Sequence, residues 1–151
     1  MKAIIIGADS AGFELKELLK EHLTEQGFEI RDVGCNSTAS CHYPIFASAV
    51  ATAVQASGGN ALGILVCGTG IGMSMAANKH QGIRAAVCGD TFSARMTRMH
   101  NDANVLCLGA RVIGAGLARD IVDLFTSTEF EGGRHATRVD MITKIENGEA
   151  L

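Results

Sequence analysis

Short apolar runs alternate with stretches of helical periodicity along this chain, and that alternation restricts the fold more than any other feature. Ala3 to Gly7 is rich in Ile, as a strand buried on both faces should be. Glu29 to Val33, Gly63 to Val66, Arg84 to Cys88 and Val105 to Leu108 read as further strands. After the first, Leu15, Leu18, Leu19 and Leu23 recur at helical spacing, with Glu14, Lys16, Glu17 and Lys20 on the opposite face. Gly27 is a natural stop for that helix. Pro44 suits the first turn of a helix running to about Gln55, and Met73 to Asn78, Thr91 to His100, Leu117 to Phe125 and Val139 to Ile145 carry further helical patterns. Strand then helix, repeated without a linker, predicts an α/β chain: a five-stranded parallel sheet with helices on both faces.

Composition fits such a core. The chain has 151 residues, 47% of them apolar and 19% charged, which predicts one domain over 1–151. Its longest apolar runs fall far short of a membrane span. Met1-Lys2 leads straight into the first strand with no signal-type segment, so a cytoplasmic location is expected. The five cysteines form no C-x-x-C pair, which reads as reduced thiols rather than a metal site. A net charge of −3 argues against general nucleic-acid binding.

Ligands of parallel sheets bind beyond the carboxyl ends of the strands. Those ends carry Asp9, Cys67 to Gly72, Gly89-Asp90, and Gly109 to Arg111. The stretch Gly63 to Asn78 stands out, because a thiol at a strand end is followed by Gly68, Gly70 and Gly72 before a helix. Free backbone N–H groups there favour negative charge and a lowered thiol pKa, placing a candidate base beside an anion site. The turn is not a dinucleotide fingerprint, and no Walker lysine follows Gly12. Cys88 and Cys107 fit strand interiors, and Cys35 and Cys41 lack the loop setting. Asp9 suits either an N-cap for the first helix or a substrate contact. His100 closes the fourth helix, where it either complements the helix dipole or serves chemistry. Arg95 and Arg98 read as solvated. Arg134 and Arg138 share a helix face beside His135, and Arg111 could join them from the sheet; arginine forks match phosphate oxygens, though an ordinary surface cluster has the same spacing.

Taken together the segments resemble the type B ribose-5-phosphate isomerases, a family that includes the galactose-6-phosphate isomerase subunits. The carrying motifs are Gly7-Ala8-Asp9-x-Ala11-Gly12-Phe13, Tyr43-Pro44, Cys67-Gly68-Thr69-Gly70-Ile71-Gly72, Ala76-Ala77-Asn78-Lys79, His100-Asn101-Asp102-x-Asn104-Val105 and Gly132-Gly133-Arg134-His135-x-x-Arg138-Val139. The resemblance implies a Rossmann-like three-layer fold, a homodimer or homotetramer, no cofactor or metal, and aldose–ketose isomerisation of a phosphorylated sugar. By position, Cys67 would move a proton between C1 and C2 through an enediolate, and Thr69 would assist between the oxygens. Backbone N–H groups from Gly68 through Gly70, Ile71 and Gly72 to Ser74 would stabilise the enediolate. His100 would open the furanose with Asn101 alongside; Asp9 and Tyr43 would hold the sugar, and Arg111, Arg134, His135 and Arg138 the phosphate. His100, Asn101 and Arg111 would come from the neighbouring subunit.

The chain departs from the pattern at Ser10, where an imidazole is usual, and at His42, where Asp is common. Ser10 resembles variants that isomerise tetrose 4-phosphates. The expected substrate pair is ribose 5-phosphate and ribulose 5-phosphate, with tetrose 4-phosphates and then hexose 6-phosphates as alternatives. The competing class is a non-catalytic flavodoxin-like module that binds a phosphate or nucleotide and has no use for the Cys67 thiol.

Overall fold

A computed structural model describes residues 1–151. The elements follow in the order β1 (Ala3–Ala8), α1 (Phe13–Glu25), β2 (Ile30–Asp32), α2 (Tyr43–Ala56), β3 (Ala61–Cys67), α3 (Ile71–Ala77), β4 (Ala85–Val87), α4 (Thr91–Asn101), β5 (Val105–Gly109), α5 (Ala115–Ser127) and α6 (Arg134–Glu146). The five strands form one parallel sheet in the order β2-β1-β3-β5-β4. Strands β2 and β4, with three residues each, are shorter than the apolar runs imply. Each is an edge strand with a ladder on one side only. Helix α6 begins at Arg134, earlier than the pattern from Val139 indicates, so the whole Arg134-to-Arg138 motif is helical.

Side chains alternate across the sheet as the pleat demands. Ile4, Ile6, Ile64, Val66, Leu106 and Leu108 face α1, α4 and α5, while Ile5, Leu65, Cys67 and Cys107 face α2 and α3. These are two apolar layers about one sheet, the expected three-layer architecture. Helix α6 lies against α4 outside the layers, with only His135 buried.

Two cations read as surface residues are inside. Lys16 is 0% exposed; its ammonium donates to Asp32 Oδ2 at 2.6 Å, and Lys20 donates to the same oxygen. Its helix position overhangs β2, so its long stem covers the sheet edge while the head finds a carboxylate there. Arg98 is 3% exposed, its Nη1 donating to the Ala103 carbonyl at 2.6 Å and to Asp102 Oδ1 at 2.9 Å. Periodicity assigns faces, but it cannot detect a buried partner supplied by another element.

Candidate active site

The sheet order reverses between β1 and β3, where a crevice opens at the carboxyl edge. Asp9 and Cys67 stand there on neighbouring strands, and the Asp9 N–H donates to the Val66 carbonyl at 3.1 Å. Asp9 is not the N-cap of α1, which is Gly12. Its Oδ1 instead accepts the Gly12 N–H at 3.0 Å, fixing the turn between strand and helix. Ser10 is half-buried beside it.

Cys67 is the last residue of β3, and its thiol is directed by the loop that follows. The Gly70 N–H donates to Cys67 Sγ at 3.1 Å, so a dipole already points at the sulfur. Gly70 can do this because it holds φ +80°, with Leu108 backbone at 3.0 Å from where a Cβ would stand. A side chain is excluded on both counts. The Ile71 N–H donates to Thr69 Oγ1 at 3.2 Å and the Ser74 N–H to the Gly70 carbonyl at 3.1 Å, while Ser74 Oγ donates to the Ile71 carbonyl. The N–H groups of Gly68, Thr69, Gly72 and Met73 are free of intramolecular bonds. The donors open to an anion are thus fewer than the full run from Gly68 to Ser74. Gly70, Ile71 and Ser74 build the loop rather than face its cavity.

Tyr43, the first residue of α2, closes one side. A Cβ on Gly72 would stand 2.6 Å from the Tyr43 ring, so glycine at 72 is what lets the aromatic ring lie on the loop. Arg111, placed by the turn after β5, packs against the other side, 3.6 Å from a notional Cβ on Gly68; its N–H donates to the Gly68 carbonyl. Arg111, expected from a neighbouring subunit, lies against the loop of its own chain.

The remaining candidates lie elsewhere. Helix α4 runs back from the carboxyl edge, so His100 and Asn101 at its end sit by the amino ends of β3 and β5, where the Gly63 N–H meets the Asn104 carbonyl. They are a strand length from Cys67, about 20 Å for seven residues. His135 stacks on His100 with ring centroids 4.1 Å apart and planes 10° from parallel. Arg134 and Arg138 flank that pair on exposed positions of α6. Within one chain, then, Arg111 does not join Arg134 and Arg138. The candidate residues form two half-sites at opposite edges of the sheet.

Burial, the neighbouring His100 and the Arg134 and Arg138 guanidiniums hold the His135 imidazole below its usual pKa. Its Nε2 is buried with no hydrogen bond, 3.3 Å from Glu131 Oε2. His100, Glu131 and His135 bring three ligand-type atoms within 4.8 Å. The stacked imidazoles, however, send their in-plane lone pairs along parallel planes rather than to one centre, a poor fit to a tetrahedral ion. Of the other thiols, burial raises Cys88 to about 11 and pushes Cys107 far up. A cleft of about 500 Å³ between β4, α4 and α6, lined by Arg84, Asn101, Ile142 and Ile145 among others, belongs to the His100 edge and not to Cys67.

Sequence reasoning missed Arg98 and Lys16. The available signal was a cation two residues before His100, and one on a helix preceding a strand that ends in Asp32.

The family described as ribose/galactose isomerase matches residues 4–142. The chain is 51% identical over 146 residues to ribose-5-phosphate isomerase B of Escherichia coli, covering 97% of each. It is 45% identical to D-erythrulose-4-phosphate isomerase of Pectobacterium atrosepticum, over 99% of this chain and 98% of that one. It superposes with a TM-score of 0.93 on the crystal structure of ribose-5-phosphate isomerase B from Mycoplasma genitalium with bound ribulose-5-phosphate, at 42% identity and 96% coverage of both chains.

Proposed function

The chain belongs to the ribose/galactose isomerase family, and from that premise we propose that it interconverts ribose 5-phosphate and ribulose 5-phosphate without a cofactor, as one catalytic domain. The observation that carries the mechanism is the Gly70 N–H held on Cys67 Sγ at the β1/β3 crevice. That bond fixes where the sulfur stands at the crevice, as the atom that takes a proton from carbon must be fixed. Cys67 removes the C2 proton of the open aldose. The C2–H electrons form the enediolate, and Cys67 returns the proton to C1. Thr69 carries the hydroxyl proton between O1 and O2. The free N–H groups of Gly68, Thr69, Gly72 and Met73 bind the developing oxyanion at no cost in reorganisation. Asp9 and Tyr43 hold the sugar, with Ser10 beside them.

The site works as a pair of chains. His100, Asn101, Arg134, His135 and Arg138 lie a strand length from their own Cys67, and a second copy of the chain supplies them. His100 then opens the furanose, and the arginines with His135 join Arg111 on the phosphate. Exposed Ile71, Met75 and Val112 around the loop offer that copy an apolar seat. Five free thiols suit a reducing cytoplasm.

Cys67→Ala separates isomerase from phosphate-binding module. Turnover should fall by at least a thousandfold while inorganic phosphate still binds, and unchanged turnover would refute the base assignment. A second reading rests on Ser10: tetrose 4-phosphates as substrate, in line with the erythrulose-4-phosphate isomerase relative. If kcat/KM for erythrose 4-phosphate exceeds that for ribose 5-phosphate by more than about tenfold, roughly 1.4 kcal/mol, the tetrose reading replaces the pentose one.

A further inference from the structure

The turn that ends α4 is built unlike an ordinary helix stop. The Asp102 N–H returns to the Arg98 carbonyl at 3.3 Å, the single bond of a left-handed cap, and the Ala103 N–H reaches one turn further back to the Thr97 carbonyl at 3.1 Å. The left-handed position of that motif normally takes glycine. Here it is Asp102 at φ 46°, the one non-glycine residue of the chain with positive φ. An aspartate tolerates this conformation at some cost, so its side chain should repay it.

It does so twice. Asp102 Oδ1 accepts from Arg98 Nη1 at 2.9 Å, and Oδ2 accepts from Arg84 Nη2 at 3.3 Å. Arg84 Nε donates to the Asp102 carbonyl at 2.9 Å, and the Arg84 N–H is held by Asn104 Oδ1 at 2.8 Å. Arg98 is buried, lies 5.7 Å from the Phe125 ring centre, and its Nε donates to the Thr128 carbonyl at 3.3 Å. The Glu131 N–H meanwhile donates to the Met99 carbonyl. One carboxylate and two guanidiniums therefore brace the backbone directly after His100-Asn101 and tie the segment leading into α6 to the same helix end.

We infer that Asp102, clamped by Arg98 and Arg84, is the positioning residue for His100: it holds the imidazole at the angle needed to open the sugar ring. Asp102 does not touch substrate and acts only through the turn. This inference rests on the isomerase reading above.

Asp102→Gly tests it, because glycine satisfies the left-handed turn and removes both clamps. If Asp102 merely stops a helix, kcat/KM and inhibitor affinity are unchanged, whatever stability is lost with the Arg98 partner. If it positions His100, kcat/KM for ribose 5-phosphate, which must be opened, falls by tenfold or more. The inhibition constant of an acyclic four-carbon phosphohydroxamate, which mimics the enediolate and needs no opening, stays within threefold. Asp102→Asn, which keeps the turn and at most one clamp, must show the same split should the glycine variant fold poorly. Unchanged turnover, or equal losses in turnover and inhibitor affinity, overturns the inference. A wild-type protein that turns over no ring-forming sugar phosphate overturns the pentose reading instead, and this inference with it.

Discussion

At Gly72 the absence of a side chain admits the Tyr43 ring, which would meet a Cβ at 2.6 Å, while the backbone N–H is unpaired because it lies in the first turn of α3. Alanine is the better helix former by about 1 kcal/mol, so Gly72→Ala should leave thermal stability unchanged or slightly raised. The displaced ring should nevertheless lower kcat/KM by roughly ten- to a hundredfold, since small misplacements are costly in a preorganised site. Melting curves measured beside turnover check both halves; a loss of both together would mean the loop itself had collapsed. Cys67 and the glycines after it stood out in the sequence because they lie where a strand ends and a helix begins, whereas Tyr43 entered only through the family resemblance. The engagement of the Gly70, Ile71 and Ser74 N–H groups within the loop was not legible there, because hydrogen-bond partners depend on the turn's dihedral angles.

Among the elements, α1 and β2 are joined by a charge cluster that periodicity assigned to water. Asp32 accepts from Lys16 and Lys20 on one oxygen and from the Gly34 N–H on the other. Burial alone would raise its pKa, but the two ammoniums and the Gly34 N–H hold it below the usual carboxylate value. The Gly34 carbonyl in turn accepts from Ala8, next to Asp9, so this cluster steadies the sugar side of the crevice. Asp32→Asn removes the nearer carboxylate from the buried Lys16 ammonium and leaves it only the exposed Glu17 carboxylate at 3.3 Å. It should cost about 3 kcal/mol, the low end for breaking a buried pair because Asp32 retains some solvent contact. For a chain of this size that is a melting point roughly 6–12 °C lower. The pH dependence has a definite sign. Asp32 binds its proton less readily folded than unfolded, so its contribution is present above the ordinary carboxylate pKa of about 3.9 and is lost as pH falls through the lower folded value. The variant should show a shallower loss of stability on acidification than the wild type. An equally steep acid limb in both would count against the cluster.

On the scale of the whole molecule, the decisive fact is that α4 turns back along the sheet. It carries His100 and Asn101 to the amino edge, while β3 delivers Cys67 to the carboxyl edge. Under the two-chain reading, Cys67→Ala and His100→Ala variants are each impaired at every site. Unfolded together, mixed equally and refolded, they should recover roughly a quarter of wild-type activity. Half the dimers are then mixed, and each mixed dimer has one site with both residues intact. No recovery beyond the sum of the separate variants would show that each chain uses its own residues. The sequence by itself determined the parallel sheet, its two apolar layers, the thiol-and-glycine loop at a strand end, and the family, because these follow from local periodicity and from residues contiguous in the chain. Only the tertiary structure decided that Arg111 sides with Cys67 whereas Arg134, His135 and Arg138 side with His100. The same holds for the burial of Arg98 and Lys16 against carboxylates from other elements. Those outcomes depend on the direction each helix runs and on which strand lies beside which, and neither is written in the spacing of residues along a single element.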